Sequence, residues 1–155
     1  MATYRQARNV EASLVDQITT ALTGAGWTIR VEKSFSKVYD GELPCICVNI
    51  EDNNPKKKEV GSKVNYKVFT IYLRIFAKED GSRLDLSNFL EDLVENDFNY
   101  YRMIVTDGLV AEKILAGKII VISKISSRKE LRNTENLEVK DRFRHLITFD
   151  VKIQL

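Results

Sequence analysis

The stretch Tyr66–Glu79, YKVFTIYLRIFAKE, decides the fold class. Phe69, Ile71, Leu73, Ile75 and Ala77 recur at every second position and make one strongly apolar face. The alternate residues, Val68, Thr70, Tyr72, Arg74 and Phe76, make a mixed one. Period two marks an extended chain, because successive strand side chains point to opposite faces. A mixed second face suits a sheet that is open on one side or partly covered by another subunit.

Upstream, Leu43–Ile50 (LPCICVNI) is a near-continuous apolar run and reads as a second strand, with Pro44 at its start because proline has no amide to donate. Between the two strands lie Glu51 and Asp52 and then Asn53–Lys63, a charged stretch carrying Lys56, Lys57, Lys58 and Lys63. It is longer than a hairpin tip requires. Downstream, FRHLITFDVKIQL alternates Phe143, His145, Ile147, Phe149, Val151, Ile153 and Leu155 with polar residues, a long half-buried strand. Ile119–Ile125 and the alternation of Trp27, Ile29 and Val31 predict two more strands.

Helical spacing appears twice. Val10, Leu14, Val15, Ile18, Ala21, Leu22 and Ala25 share one face, and Gly24 and Gly26 mark its end. Leu86, Phe89, Leu90, Leu93, Val94 and Phe98 form a second stripe, with Asp85 as the expected N-cap after a strand break at Asp80-Gly81-Ser82. Asn99–Arg102 interrupts the pattern, and Leu109–Leu115 reads as a shorter helix closed by Gly117. Ser126–Glu138, with Arg128, Lys129 and Arg132, reads as a protruding polar loop. The expected fold is α+β: a mixed, largely antiparallel sheet of about four to five strands flanked by two or three helices. A chain of 155 residues fits one domain spanning 1–155.

Composition narrows the chemistry. The 24 basic and 22 acidic residues leave a net charge of +2, which argues against a dedicated nucleic-acid binder. Met1–Glu11 lacks the apolar core of a secretion signal, and no stretch is long enough to cross a bilayer as a helix, so the expected compartment is cytosolic. Cys45 and Cys47 are read as buried residues on opposite strand faces, unable to bridge and too few for a metal. The single histidine, His145, sits on an apolar face and reads as a satisfied core or interface residue. No dinucleotide-binding glycine pattern, phosphate-binding loop or nucleophile elbow occurs. No catalytic residue, metal site or cofactor is expected. Glu51 and Asp52 read as a strand-ending turn, and the helical carboxylates Glu91, Asp92 and Glu95 as a solvated face. The lysine-rich tip has two readings: a solubilising, edge-protecting tip, or an electrostatic contact with an acidic partner or with passing DNA.

The order of elements resembles the tail terminator (tail completion) proteins of long-tailed bacteriophages, the lambda gpU-like group. The resemblance is carried by the N-terminal amphipathic helix, LPCICVNIED, the charged hairpin, YKVFTIYLRIFAKE, the helix LDLSNFLEDLVENDF and the last strand RHLITFDVKIQL, roughly Val10 to Leu155. It implies a virion protein of the tail neck, assembled in the host cytoplasm, whose six copies close a ring on the head-proximal end of the tail tube. The implied partners are its own copies, the tail tube protein, a head-completion or connector protein and, in a contractile tail, the sheath. DNA would pass through the lumen without specific recognition, and no membrane is involved. The expected contact residues are Glu51, Asp52, Lys56, Lys57, Lys58, Lys63, Arg128, Lys129 and Arg132. Other neck pieces, such as a head–tail stopper or a baseplate adaptor, share this size and symmetry. A small enzyme or a lysine-tipped nucleic-acid-binding module are the more distant readings.

Overall fold

The computed structural model describes residues 6–33, 38, 41–57, 65–106, 109–130 and 143–155. Two α-helices, α1 (Gln6–Gly24) and α2 (Asp80–Val94), flank strands β1 (Arg30–Glu32), β2 (Cys45–Lys57), β3 (Asn65–Ala77), β4 (Phe98–Thr106), β5 (Leu109–Glu130) and β6 (Phe143–Gln154). The strands form one mixed sheet in the order β1-β2-β3-β6-β5-β4, one strand more than the sequence suggested. Only the β1–β2 pair is parallel; β2–β3, β3–β6, β4–β5 and β5–β6 are antiparallel.

The sheet curls. β1 and β4 stand at its two ends, yet α1 packs against both. The principal core fills the inside of this curl. Val10, Leu14, Ile18 and Leu22 of α1 and Leu86, Leu90 and Val94 of α2 meet Ile46, Val48, Phe69, Ile71, Leu73, Ile75, Ile147, Phe149 and Val151, all essentially without solvent contact. The alternation read in Tyr66–Glu79 is therefore the inner face of β3.

Each helix has an identifiable stop or start. At the end of α1 the amide of Trp27 donates to Leu22 O at 2.9 Å and that of Gly26 to Thr23 O at 3.0 Å, with Gly26 at φ +87°. This is a Schellman closure, which needs a left-handed residue that glycine adopts without strain. Trp27 then folds back onto the core beside Leu22. The N-cap of α2 is Glu79, not Asp85. Asp80-Gly81-Ser82 opens the helix instead of separating it from the strand. The acidic Glu79 and Asp80 suit the positive end of the helix dipole, and Asp80 holds Arg83 one turn on at 2.8 Å.

Three further expectations are corrected. Leu109–Leu115 is not a helix but the first part of β5, paired with β4. A helix of that length is marginal alone, and Tyr100, Tyr101, Ile104 and Val105, aromatic or β-branched, make a ready strand partner. Asn99–Arg102 is thus the start of β4. Ser126–Glu130 is not a loop but the end of β5, paired with Arg144–Thr148; the side chains of Ser127, Lys129 and Glu130 have fixed partners, described below. Asn53–Lys57 is likewise strand, not loop. Between Asp52 and Pro55 the β2–β3 register slips by one residue, a bulge that accommodates the proline in the strand. Residues 131–138 and 58–63 of the two expected loops lie outside the described residues.

A stripe of α1 closes the β4 edge. Gln17 Nε2 donates to Asn99 O at 2.7 Å, and Gln17 Oε1 accepts from the Asn99 amide at 2.8 Å. Ser13 Oγ accepts from the Tyr101 amide at 3.0 Å and lies 3.3 Å from Tyr101 O, to which it donates. Asn9 Oδ1 accepts from the Met103 amide at 3.3 Å, and its Nδ2 donates to Tyr100 Oη at 3.1 Å. Four helical residues rise about 6.0 Å and two strand residues about 6.6–6.8 Å, so helix positions spaced by four keep step with strand positions spaced by two. The helix thus replaces a neighbouring strand along an edge that would otherwise offer unpaired amides and carbonyls.

Candidate interaction surface

Past the last β6 pairings, Val68↔Lys152 on one side and Lys118↔Gln154 on the other, the sheet divides. β2 and β3 continue as one hairpin through Pro55↔Lys67, Lys56↔Tyr66 and Lys57↔Asn65. β4 and β5 continue as another from Tyr100↔Gly117 to Thr106↔Leu109. Both prongs leave the sheet at the end where β6 terminates. The second prong is braced by the α1 stripe and by an Asp16–Lys113 ion pair of 2.7 Å, with Lys113 also 5.1 Å from the Tyr101 ring centroid. It exposes two large apolar side chains, Ile104 at 38% and Leu115 at 61%. The register puts them on opposite faces of the ribbon, Leu115 across from Tyr101 and Ile104 across from Glu112.

The predicted contact residues do not form one patch. Lys56 and Lys57 lie in the first prong, with Asp52 near its base opposite Phe69. Glu51 is exposed and accepts a 2.8 Å hydrogen bond from Tyr72 Oη, which pushes the phenol pKa up. Arg128 lies opposite Leu146, in the row that runs through Arg74 to Cys47. From Cys47 to Lys57 the chain covers roughly 30 Å at about 3.3 Å per strand residue. Arg128 and Lys129 therefore stand at the far end of the sheet from the lysine prong. Lys129 is held 3.5 Å from Asp80 at the start of α2. Lys58, Lys63 and Arg132 lie outside the described residues.

On the outer sheet face the structure adds a charged group that the sequence reading missed. Glu130 Oε1 lies 3.5 Å from Arg74 Nε and 3.3 Å from Arg144 Nη2. Arg144 is completely buried, its guanidinium 4.8 Å from the Phe76 ring centroid. Arg74 also donates to Asn49 Oδ1 at 3.2 Å. Two cations share one carboxylate, each with a further polar or aromatic contact, as buried charge requires. The signal was present as a mixed face in β3 and an arginine in β6, but nothing local joined them to Glu130.

Cys45 and Cys47 are buried free thiols on that same outer face, packed with Val38 and Phe76. Residues two apart in a strand return to the same face, so the expectation of opposite faces is corrected. Burial, chiefly, and the neighbouring Cys45 push the Cys47 thiol up to about 11, which leaves it protonated and unreactive at neutral pH.

His145 lies on the inner face, opposite Ile75. Arg83 Nη1 approaches its Nδ1 at 2.9 Å and Ser127 Oγ its Nε2 at 2.8 Å. A guanidinium can only donate. Nδ1 must therefore carry the lone pair and Nε2 the proton, which it gives to Ser127 Oγ. Burial first, and Arg83 second, push the imidazole pKa below its usual 6.5.

Two clefts are lined by described residues. One, of about 580 Å³, lies beside the end of α1 and includes Trp27, Ile29, Leu43 and Pro44. Its Arg30 guanidinium is committed to the chain, donating to Val38 O at 3.0 Å, Glu42 O at 3.1 Å and Glu32 Oε1 at 3.1 Å. The other, of about 440 Å³, lies between α1, the end of α2 and β4, with Asp16, Leu93, Asp97, Tyr101 and Lys113 in its walls. Among the described residues no group of three or more His, Cys, Asp or Glu side chains is placed to hold a metal ion. No protein-family model matches the chain, and no curated protein matches it.

Proposed function

We propose that this protein is a structural subunit of a phage tail neck, a terminator-like component that closes a ring of identical copies on the head-proximal end of the tail tube. The observation that carries the reading is the division of the sheet into two prongs at one end, one bearing Lys56 and Lys57 and the other exposing Ile104 and Leu115. Ring closure needs heterologous contacts between two different surfaces of the same chain, and two prongs of unlike sequence, one with Lys56 and Lys57 and the other with Ile104 and Leu115 on its opposite faces, offer them. The curled sheet and the helices behind it give those prongs a rigid base. Among the described residues the imidazole of His145 spends both nitrogens on Arg83 and Ser127, and with its proton turned toward the serine it is not placed to deprotonate that hydroxyl. The function proposed is therefore contact by shape and charge.

The test is electron microscopy of the purified protein mixed with its tail tube protein during tube growth. Rings of copies at one end of each tube, with growth arrested, are the expected result. Tubes of unrestricted length with bare ends would overturn the reading. Copurification with portal or adaptor protein instead of tube protein would move the assignment to a stopper or connector.

A further inference from the structure

We propose that His145 is an acid-sensitive latch that fastens the first turn of α2 to the sheet, and that protonating its ring releases that turn. The latch is a chain of contacts across three elements. Asp80 holds Arg83 at 2.8 Å, Arg83 donates to His145 Nδ1 at 2.9 Å, and His145 passes its own proton toward Ser127 at 2.8 Å. Lys129 closes the loop from β5 back to Asp80 at 3.5 Å. Arg83 is itself buried, at 7% exposure, so its guanidinium has no easy retreat into water.

The arrangement tolerates only a neutral ring. An imidazolium would carry a proton on Nδ1, whose hydrogen-bond partner among the described residues is another donor with its own positive charge. The other groups around the ring are accounted for element by element. α2 presents Arg83, with Asp80 behind it and Glu91 further along; β5 presents Ser127, Lys129 and Glu130; β3 presents the apolar Ile75. Glu91 and Glu130 favour the charged ring, but Glu130 is engaged by Arg74 and Arg144. Asp80 is divided between Arg83 and Lys129. The least disruptive way to accept a proton is to part Arg83 from the ring, and Arg83 belongs to the first turn of α2. The helix beyond is held by Leu86, Leu90 and Val94 in the core, so the opening is local.

The sign follows from linkage. A histidine whose folded pKa lies below its unfolded value stabilises the closed state above pH 6.5, and that contribution is lost as pH falls from 6.5 through the folded value. His145 is the only histidine in the chain, so NMR of its ring in the untagged protein gives one unambiguous titration. The expected result is an Nε2–H tautomer at pH 7 and a midpoint below 6.5. Amide exchange in Asp80–Ser87, corrected for its intrinsic pH dependence, should quicken by up to about tenfold per pH unit between 6.5 and that midpoint. Exchange in α1 and β3 should not change. Arg83→Gln should raise the ring midpoint toward 6.5, and His145→Gln should make α2 exchange indifferent to pH over this range. An Nδ1–H tautomer, a midpoint at or above 6.5, or α2 exchange that follows α1 at every pH would overturn the proposal. The wild-type measurements decide it even where a variant does not fold.

Discussion

At the scale of single residues, the side chains that matter most are polar ones facing backbone or buried charge. Ser13 is fully buried and serves both the amide and the carbonyl of Tyr101. Ser13→Ala leaves those two main-chain groups without that partner in a place closed to water, and should cost about 1–3 kcal/mol. Urea unfolding should show it as a lower midpoint with an unchanged slope. Thr19→Ala, which removes only an exposed bond to Val15 O, should stay within about 0.5 kcal/mol. Glu130 makes a harsher case. Its carboxylate is the shared anion of Arg74 and Arg144, and Arg144 is entirely buried. Glu130→Ala should cost about 3 kcal/mol, the lower end of the range for breaking a buried ion pair. The lower end applies because the Arg74 and Glu130 side chains keep 20% and 17% of their exposure. The same unfolding experiment measures it, and a loss below that of Ser13→Ala would mean that the group is screened by solvent.

At the scale of elements, the joints between strands and helices decide which changes the fold can absorb. Gly117 sits where the second prong leaves the sheet. A Cβ there would run into Gln154 O and come within 3.0 Å of Leu155 Cα, both main-chain atoms. Gly117→Ala should cost about 1–3 kcal/mol through overpacking, with amide protection lost at the end of β6 and in the prong while α2 keeps its own. Gly24→Ala, which meets nothing within 4 Å in the last turn of α1, should be neutral or stabilise by up to about 1 kcal/mol through helix propensity. These joints also show where the sequence was legible. Strong periodicity identified α1, the body of α2, β3 and β6, because burying one face leaves an alternation that can be read directly. It failed where a partner elsewhere in the chain decides the state. Leu109–Leu115 has helical composition but lies across from β4. Ser126–Glu130 looks like loop until His145, Asp80 and Arg144 are brought against it. The polar stripe Asn9, Ser13, Gln17 is silent for the opposite reason: apolar periodicity marks only the buried face of α1, and the use of its polar side appears only once β4 lies alongside. Among the expected contact residues, nothing local to Lys56 or Arg128 tells that they belong to opposite ends of one sheet, because only the strand pairing sets that distance.

At the scale of the whole molecule, that separation turns the two basic clusters into independent variables. If the lysine prong makes the contact proposed here, its charges set how fast and how well the subunit meets an acidic surface, since steering by charge acts on association more than on the fold. Replacing Lys56, Lys57 and Lys58 together with Ser should therefore leave the thermal unfolding midpoint unchanged. In a tail assembly reaction it should give overlong tubes or tails that fail to join heads, with the defect mimicked in the unmodified protein by raising salt, which shortens the reach of exposed charges to about 3 Å at 1 M. Arg128→Ser supplies the comparison. It removes one exposed cation from the other end of the sheet, opposite Leu146, and should not disturb the prongs. Measured tail length and head joining separate the outcomes: a defect in the lysine variant alone assigns the contact to the forked end. A defect in Arg128→Ser alone would transfer the working surface to the far end of β5. Normal tails from both would remove these charges from assembly and leave the β4–β5 prong, with Leu115 on one face and Ile104 on the other, as the region to test next.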